Sequence, residues 1–125
     1  MWTEKKLARL ADGLLRALRI NKGNTLDVFL LPNRTIAAFK ARFIKEKGEP
    51  NVLSFPEPAD FPHPETKKRY LGEVYLNGDI LKKSPERAAP LLLHGMLHLL
   101  GYGHGTPTSR KRMESAEKRI LRRLR

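Results

Sequence analysis

Leu91-Leu92-Leu93-His94-Gly95-Met96-Leu97-His98-Leu99-Leu100-Gly101-Tyr102-Gly103-His104 is an apolar run with three histidines set into it. His94 and His98 are four apart, which on an α-helix turns them by about 400° and raises them by about 6 Å, so both imidazoles leave one face, one turn apart. Gly101 stands where such a helix takes a left-handed cap, and a chain that reverses there carries His104 back toward the first two. The stretch therefore predicts a core helix whose C-terminal end gathers three nitrogen donors.

Working outward, the chain before this helix reads as strands and loops. Thr25–Leu31, stopped by Pro32-Asn33, has the enrichment of a buried strand, and Arg34–Glu46 shows helical spacing through Ile36, Phe39, Phe43 and Ile44. Asn51–Phe55 and Tyr70–Leu76 are two further strand candidates, flanking a connection that holds Pro56, Pro58, Pro62 and Pro64. Those prolines exclude a helix or central strand there. Beyond the histidines, Thr106-Pro107 offers an N-cap with proline in the first turn, and Met113, Ala116, Ile120, Leu121 and Leu124 supply a buried stripe. At the other end Leu7, Leu10, Ala11, Leu14, Leu15 and Leu18 recur at helical steps. Strands mixed with helices in this order predict an α+β fold, one small domain over residues 1–125 with a mixed β-sheet covered by helices. The length, 125 residues with 40% hydrophobic side chains, excludes two large domains.

The composition narrows the chemistry. There is no cysteine, which removes disulfides, disulfide-linked partners and thiolate ligands, so a metal site must be built from His, Asp or Glu. Three neutral imidazoles with a fourth position open is the layout of a catalytic zinc site, whereas structural zinc is usually closed by four protein ligands. His94, His98 and His104 are the expected ligands of one Zn2+ ion or another divalent transition metal. His63, between Pro62 and Pro64, reads as an exposed loop residue outside that set. The spacing also matches the zinc protease pattern that begins His-Glu, in which the Glu is the general base. Here Gly95 occupies that position, and a metalloprotease becomes a distant alternative.

Charge supplies the partner. The formal net charge is +12, from 25 Lys+Arg against 13 Asp+Glu. By segment the net is +4 over residues 1–22, +2 over 23–104 and +6 over 105–125, so most of the surplus lies on the two terminal helices. A basic helix face can simply be solvated. Two of them on one small domain favour a nucleic acid over an anionic membrane, because neither helix has the large exposed apolar face that insertion requires. Arg110, Lys111, Arg112 and Arg119 are the candidate RNA-binding residues. No stretch approaches the roughly 18 apolar residues of a membrane span, and Met1–Lys6 lacks a signal core, so a soluble cytoplasmic protein with no membrane partner is the expectation.

His94-Gly95-Met96-Leu97-His98-Leu99-Leu100-Gly101-Tyr102-Gly103-His104 closely resembles the signature His-Gly-x-Leu-His-Leu-x-Gly-Tyr-Asp-His of the YbeY family of bacterial rRNA maturation factors and endoribonucleases. Asn51-Val52-Leu53-Ser54-Phe55-Pro56, Leu71-Gly72-Glu73-Val74 and Met113-Glu114-Ser115-Ala116-Glu117 resemble other segments of that family. The resemblance implies an α+β fold, one zinc ion on the three histidines, single-strand-directed RNA cleavage, and a role with the small ribosomal subunit in maturing the 3′ end of its rRNA and in ribosome quality control. It also exposes two departures: Gly103 stands where the signature has Asp, and Ile44 where the family has an Arg, with Arg42 and Lys45 nearby. These departures favour a second reading, a catalytically impaired, metal-stabilised RNA- or ribosome-binding factor.

Four neighbouring residues carry double readings. Ser54 can donate to a phosphate or pack in its strand, and Glu73 can serve as a general base or sit as a solvated strand carboxylate. Glu114 lies four residues before Lys118 and reads as half of a helix-surface ion pair. Tyr102 can pack against the cleft or stack a base.

Overall fold

The computed structural model describes residues 1–20, 23–43, 51–57, 69–103 and 105–124. Its sheet has the strand order β1-β3-β2, with β1 (Asn24–Leu31) parallel and β2 (Val52–Pro56) antiparallel to the central β3 (Arg69–Asn77). Around it lie α1 (Glu4–Ala17), α2 (Asn33–Phe43), α3 (Gly78–Lys83), α4 (Ala88–Leu99) and α5 (Pro107–Arg123), with a 3-10 turn at Pro85–Arg87 leading into α4. This is the expected single-domain α+β fold.

Period-two alternation gives the sheet two different faces. Val28, Val74 and Leu76 are buried in one core with Leu7 and Leu14 of α1, Leu92, Leu93 and Met96 of α4, and Met113 and Ile120 of α5. On the opposite face Phe29 and Tyr75 stack at 5.0 Å between ring centroids, Phe55 meets Tyr75 edge-on, and Phe39 of α2 stacks on the same ring. α4 therefore lies against the buried face, and α2 covers the aromatic one.

Among the described residues both outer strands are edges, and the first is blunted locally. The Leu30 amide donates to a Glu4 carboxylate oxygen at 2.9 Å, so the start of α1 satisfies a backbone group that an edge strand otherwise leaves open. Where β3 runs into α3, buried Asn77 accepts from the Asp79 and Ile80 amides and donates to Asn33 Oδ1 at 2.8 Å. That one side chain caps α3 and ties it to α2.

Element ends follow from their caps. Thr106 accepts from the Ser109 amide in a capping box, with Pro107 next, as its sequence predicts. α1 ends with the Arg19 amide bonded to Arg16 O and the Ile20 amide to Leu15 O, a Schellman motif that holds Arg19 at φ 62°. Two expectations change. Leu124 is not part of the buried stripe: it caps the C-terminus of α5 and is 38% exposed, because the core has ended one turn earlier at Ile120. The helix expected over Arg34–Glu46 is described to Phe43, and its remaining residues lie outside the described ones.

Candidate metal centre and basic groove

α4 lies close to the sheet because of one residue. A Cβ on Gly95 would stand 2.8 Å from Val74 Cγ1, 3.0 Å from Ser54 Oγ and 3.1 Å from Val52 Cγ2, closer than side chains pack. The Ser54 hydroxyl donates to Gly95 O at 2.9 Å and pins β2 to the helix at the same point. Ser54 is thus a strand-to-helix tie. Position 95 points into the sheet, so the protease pattern's general base has no room there, and the distant protease reading loses its steric basis as well as its carboxylate.

The helix ends as the sequence predicts. Gly101 has φ 97°, its amide bonds to His98 O at 3.0 Å, and the Tyr102 amide reaches back to Leu97 O at 3.0 Å, completing a second Schellman motif. Beyond that turn α5 packs against α4, with Glu117 of α5 meeting His94 of α4.

His94 and His98 come together on the α4 surface facing α5. Their rings meet edge-on with centroids 4.8 Å apart, and Nε2 stands 3.3 Å from Nε2. On its other side His94 Nδ1 lies 3.0 Å from Glu117 Oε1. An ionised carboxylate only accepts, so Nδ1 carries the proton and a neutral His94 keeps its lone pair on Nε2, aimed at the gap shared with His98. Two nitrogens each about 2.05 Å from a tetrahedral ion stand about 3.3 Å apart, so the two Nε2 atoms fit two corners of a zinc tetrahedron. The Glu117–His94 contact has the form of the carboxylate–histidine pairing that orients imidazoles in metal sites. Among the described residues no group of three or more His, Cys, Asp or Glu forms a metal cluster; His104, the third expected ligand, lies outside them, as does His63.

With this geometry in hand, the sequence matches the family model described as Endoribonuclease YbeY over residues 2–125. The chain belongs to the YbeY family. It is 33% identical over 129 residues to the protein named Endoribonuclease YbeY of Thermobifida fusca (strain YX), covering 94% of this chain and 83% of that one. The protein of the same name from Frankia casuarinae is 30% identical over 132 residues, covering 94% of this chain and 66% of the relative. That from Mycobacterium sp. (strain KMS) is 30% identical over 132 residues, covering 95% and 75%.

Against the YbeY signature, Glu117 is the residue whose role sequence reading missed. Its neighbour Glu114 attracted the ion-pair reading, yet Glu114 and Lys118 are both exposed and close no such pair. The missed signal lay in α5's own period: Glu117 flanks buried Met113, Ala116 and Ile120, a carboxylate at the border of the packed stripe. Glu73 is excluded from the histidine site by alternation. It shares the aromatic face with Tyr75, whose hydroxyl donates to its carboxylate, while Val74 faces α4. Burial first, and then the Glu73 carboxylate, push the Tyr75 phenol up to about 12. Tyr70 is raised likewise, by burial and its hydrogen bond to Asp27.

The YbeY-type departures fall differently. Gly103 sits in open space, where an added Cβ would meet no atom within 4 Å among the described residues. Ile44 and Lys45 lie outside the described residues, and Arg42 is exposed at the end of α2. The four candidate RNA-binding cations are all exposed on α5, and the helix divides them. Lys111, Arg112 and Arg119 line one open groove of about 400 Å³ with Tyr102, Thr108 and Ser115, floored by Ala116. Arg110 stands apart: seven residues before Glu117, it falls within about 20° of that residue around the axis, on the histidine side. Among the described residues, no helix is long and apolar enough to cross a membrane.

Proposed function

We propose that the chain is a metal-dependent endoribonuclease acting on single-stranded regions of rRNA in the cytoplasm, in maturation of the small-subunit rRNA 3′ end and in ribosome quality control. The observation that carries this reading is the His94–His98 pair, 3.3 Å between facing Nε2 atoms, with Glu117 holding the far nitrogen of His94, in a member of the YbeY family. His94, His98 and His104 hold the ion, zinc or another divalent transition metal. When bound, such an ion supplies Lewis acidity and activates water at neutral pH. The chain's own residues do the remaining work. Glu117 keeps the His94 proton on Nδ1, the Gly101 turn ends α4 just beyond His98, and the cations of α5 neutralise RNA phosphates.

One observation favours the second reading, an RNA- or ribosome-binding factor with impaired cleavage. Gly103 removes the signature carboxylate beside the third histidine, and no described side chain lies within 4 Å of the place where its Cβ would be. Gly103→Asp restores that carboxylate at a position where a Cβ meets no described atom beyond its chain neighbours, which makes the two readings separable.

The test compares cleavage of structured rRNA fragments by the metal-loaded protein, its chelated form, His98→Ala and Gly103→Asp. The enzyme reading expects cleavage by the loaded protein and its loss on chelation and in His98→Ala. Cleavage that persists unchanged in both would be contamination and would end that reading. No cleavage by the native chain, with cleavage gained in Gly103→Asp, would establish the impaired factor. Metal analysis finding no bound ion in protein purified at neutral pH without chelator would overturn both.

A further inference from the structure

We propose that the groove between Tyr102 and the outer flank of α5 is a nucleotide subsite for single-stranded RNA, set on the far side of α5 from the histidine pair. This deepens the RNA reading above and rests on it. Three observations meet there. Lys111, Arg112 and Arg119 line the groove, and no carboxylate among the described residues lines it or pairs with them. Its wall is Tyr102, half-buried against the core and fixed by the Schellman turn, so an aromatic face is held at low entropy cost beside the cations. The Thr108 and Ser115 hydroxyls lie along the same stripe, which runs about 16 Å from Thr108 to Arg119, long enough for a few nucleotides.

Cations with an aromatic platform and hydroxyls are the chemistry of single-strand binding, in which phosphates are neutralised and a base stacks without being read. A lipid surface fits less well. The exposed large hydrophobic side chains among the described residues are Met1, Phe39 and Leu124, and none of them lines this groove.

The position assigns the subsite its task. Glu117 faces His94, and from Glu117 the helix turns about 140° to Arg112 and about 160° to Arg119. Buried Met113, Ala116 and Ile120 lie against the core between these flanks. RNA seated in the groove therefore has to pass around α5 to reach the histidines. The subsite thus holds nucleotides some distance along the strand from the scissile phosphate. It contributes uniform binding, raising affinity without touching the reacting atoms.

The test titrates a labelled single-stranded oligoribonucleotide of mixed sequence into the protein over a range of salt. Neutralising the groove with Lys111→Gln, Arg112→Gln and Arg119→Gln should lower the salt slope by about 2, at roughly 0.7 per phosphate contact. The same charge removed elsewhere, with Arg34→Gln, Lys82→Gln and Lys83→Gln, should leave that slope near native. Tyr102→Leu should bind about tenfold more weakly and Tyr102→Phe near normally. In cleavage assays the groove variants should raise KM and leave kcat unchanged. Native protein that binds the oligonucleotide while the groove variants match it, or match the control triple variant, overturns the subsite and leaves the RNA reading standing. Native protein that binds anionic phosphatidylglycerol vesicles and no RNA overturns both. If Tyr102→Leu fails to unfold cooperatively, the surface triple variant decides alone.

Discussion

Gly95→Ala and Gly13→Ala are the same substitution in two helices, and they should move stability in opposite directions. Replacing a mid-helix glycine by alanine gains about 0.5–1 kcal/mol from backbone entropy alone. At Gly13 a Cβ would meet only the Arg16 guanidinium, at 3.8 Å, so the gain should appear in full. At Gly95 it would stand 2.8 Å from Val74 Cγ1, 3.0 Å from Ser54 Oγ and 3.1 Å from Val52 Cγ2. Those three atoms belong to two hydrogen-bonded strands, and Ser54 is already committed to Gly95 O, so no single side chain can swing away. Overpacking costs about 1–3 kcal/mol, and against three held neighbours at once about 2–3, which leaves a net loss of about 1–2.5 kcal/mol after the helix gain. For a chain of 125 residues, that lowers Tm by roughly 3–10 °C. Urea unfolding with an unchanged slope, together with calorimetry, measures both variants. A Gly95→Ala protein as stable as the native one, or more stable, would refute the claim that this glycine sets the helix-to-sheet distance. Gly95→Glu, which restores the protease pattern, should be far more damaging and confer no peptidase activity.

Glu117→Ala should weaken metal affinity by about 10–100-fold while leaving the protein folded, because His94 loses the acceptor that fixes its tautomer; competition with a chromophoric chelator measures the affinity, and nitrogen NMR of the imidazoles should show His94 redistributing its proton. Glu117→Gln, which keeps a carbonyl acceptor, should fall between the two. Arg19→Gly should stabilise the fold by about 0.5–1 kcal/mol in urea melts, since glycine occupies the left-handed position at φ 62° without the penalty a side chain incurs. The Tyr75 phenol, raised from 10.0 to about 12, favours the folded state while protonated. Its contribution is complete below pH 10 and is lost as pH rises through about 12. Tyr75→Phe should remove that loss and, in a phenolate absorbance titration, one late-ionising group.

Much of the candidate site was legible because it is local. A four-residue histidine spacing fixes which helix face both rings share, and Gly101 followed by a polar turn fixes where that helix stops. The two terminal helices, the Thr106-Pro107 start of the second and the three strands were equally readable, since each carries its own local signal. Gly78–Lys83 and Pro85–Arg87 carry none, being too short to show a period, and their positions follow from the Asn77 cap and from packing. Leu124 misled because periodicity continues past the point where the core ends.

Sequence alone determined the family signature, the absence of thiol chemistry, the concentration of charge at the chain ends and the two facing histidines on one helix. Tertiary structure decided what depends on distant segments meeting. It put Glu117 rather than Glu114 on His94, 23 residues away, and turned Glu73 to the face opposite α4. It also gave Gly95 a steric role against β2 and β3, and split the α5 cations between the histidine flank and the Tyr102 groove. The physical reason is the same in each case. Spacing along the chain fixes a side chain's angle about its own helix or strand, while the neighbour it meets at that angle is set by how the helices pack on the sheet.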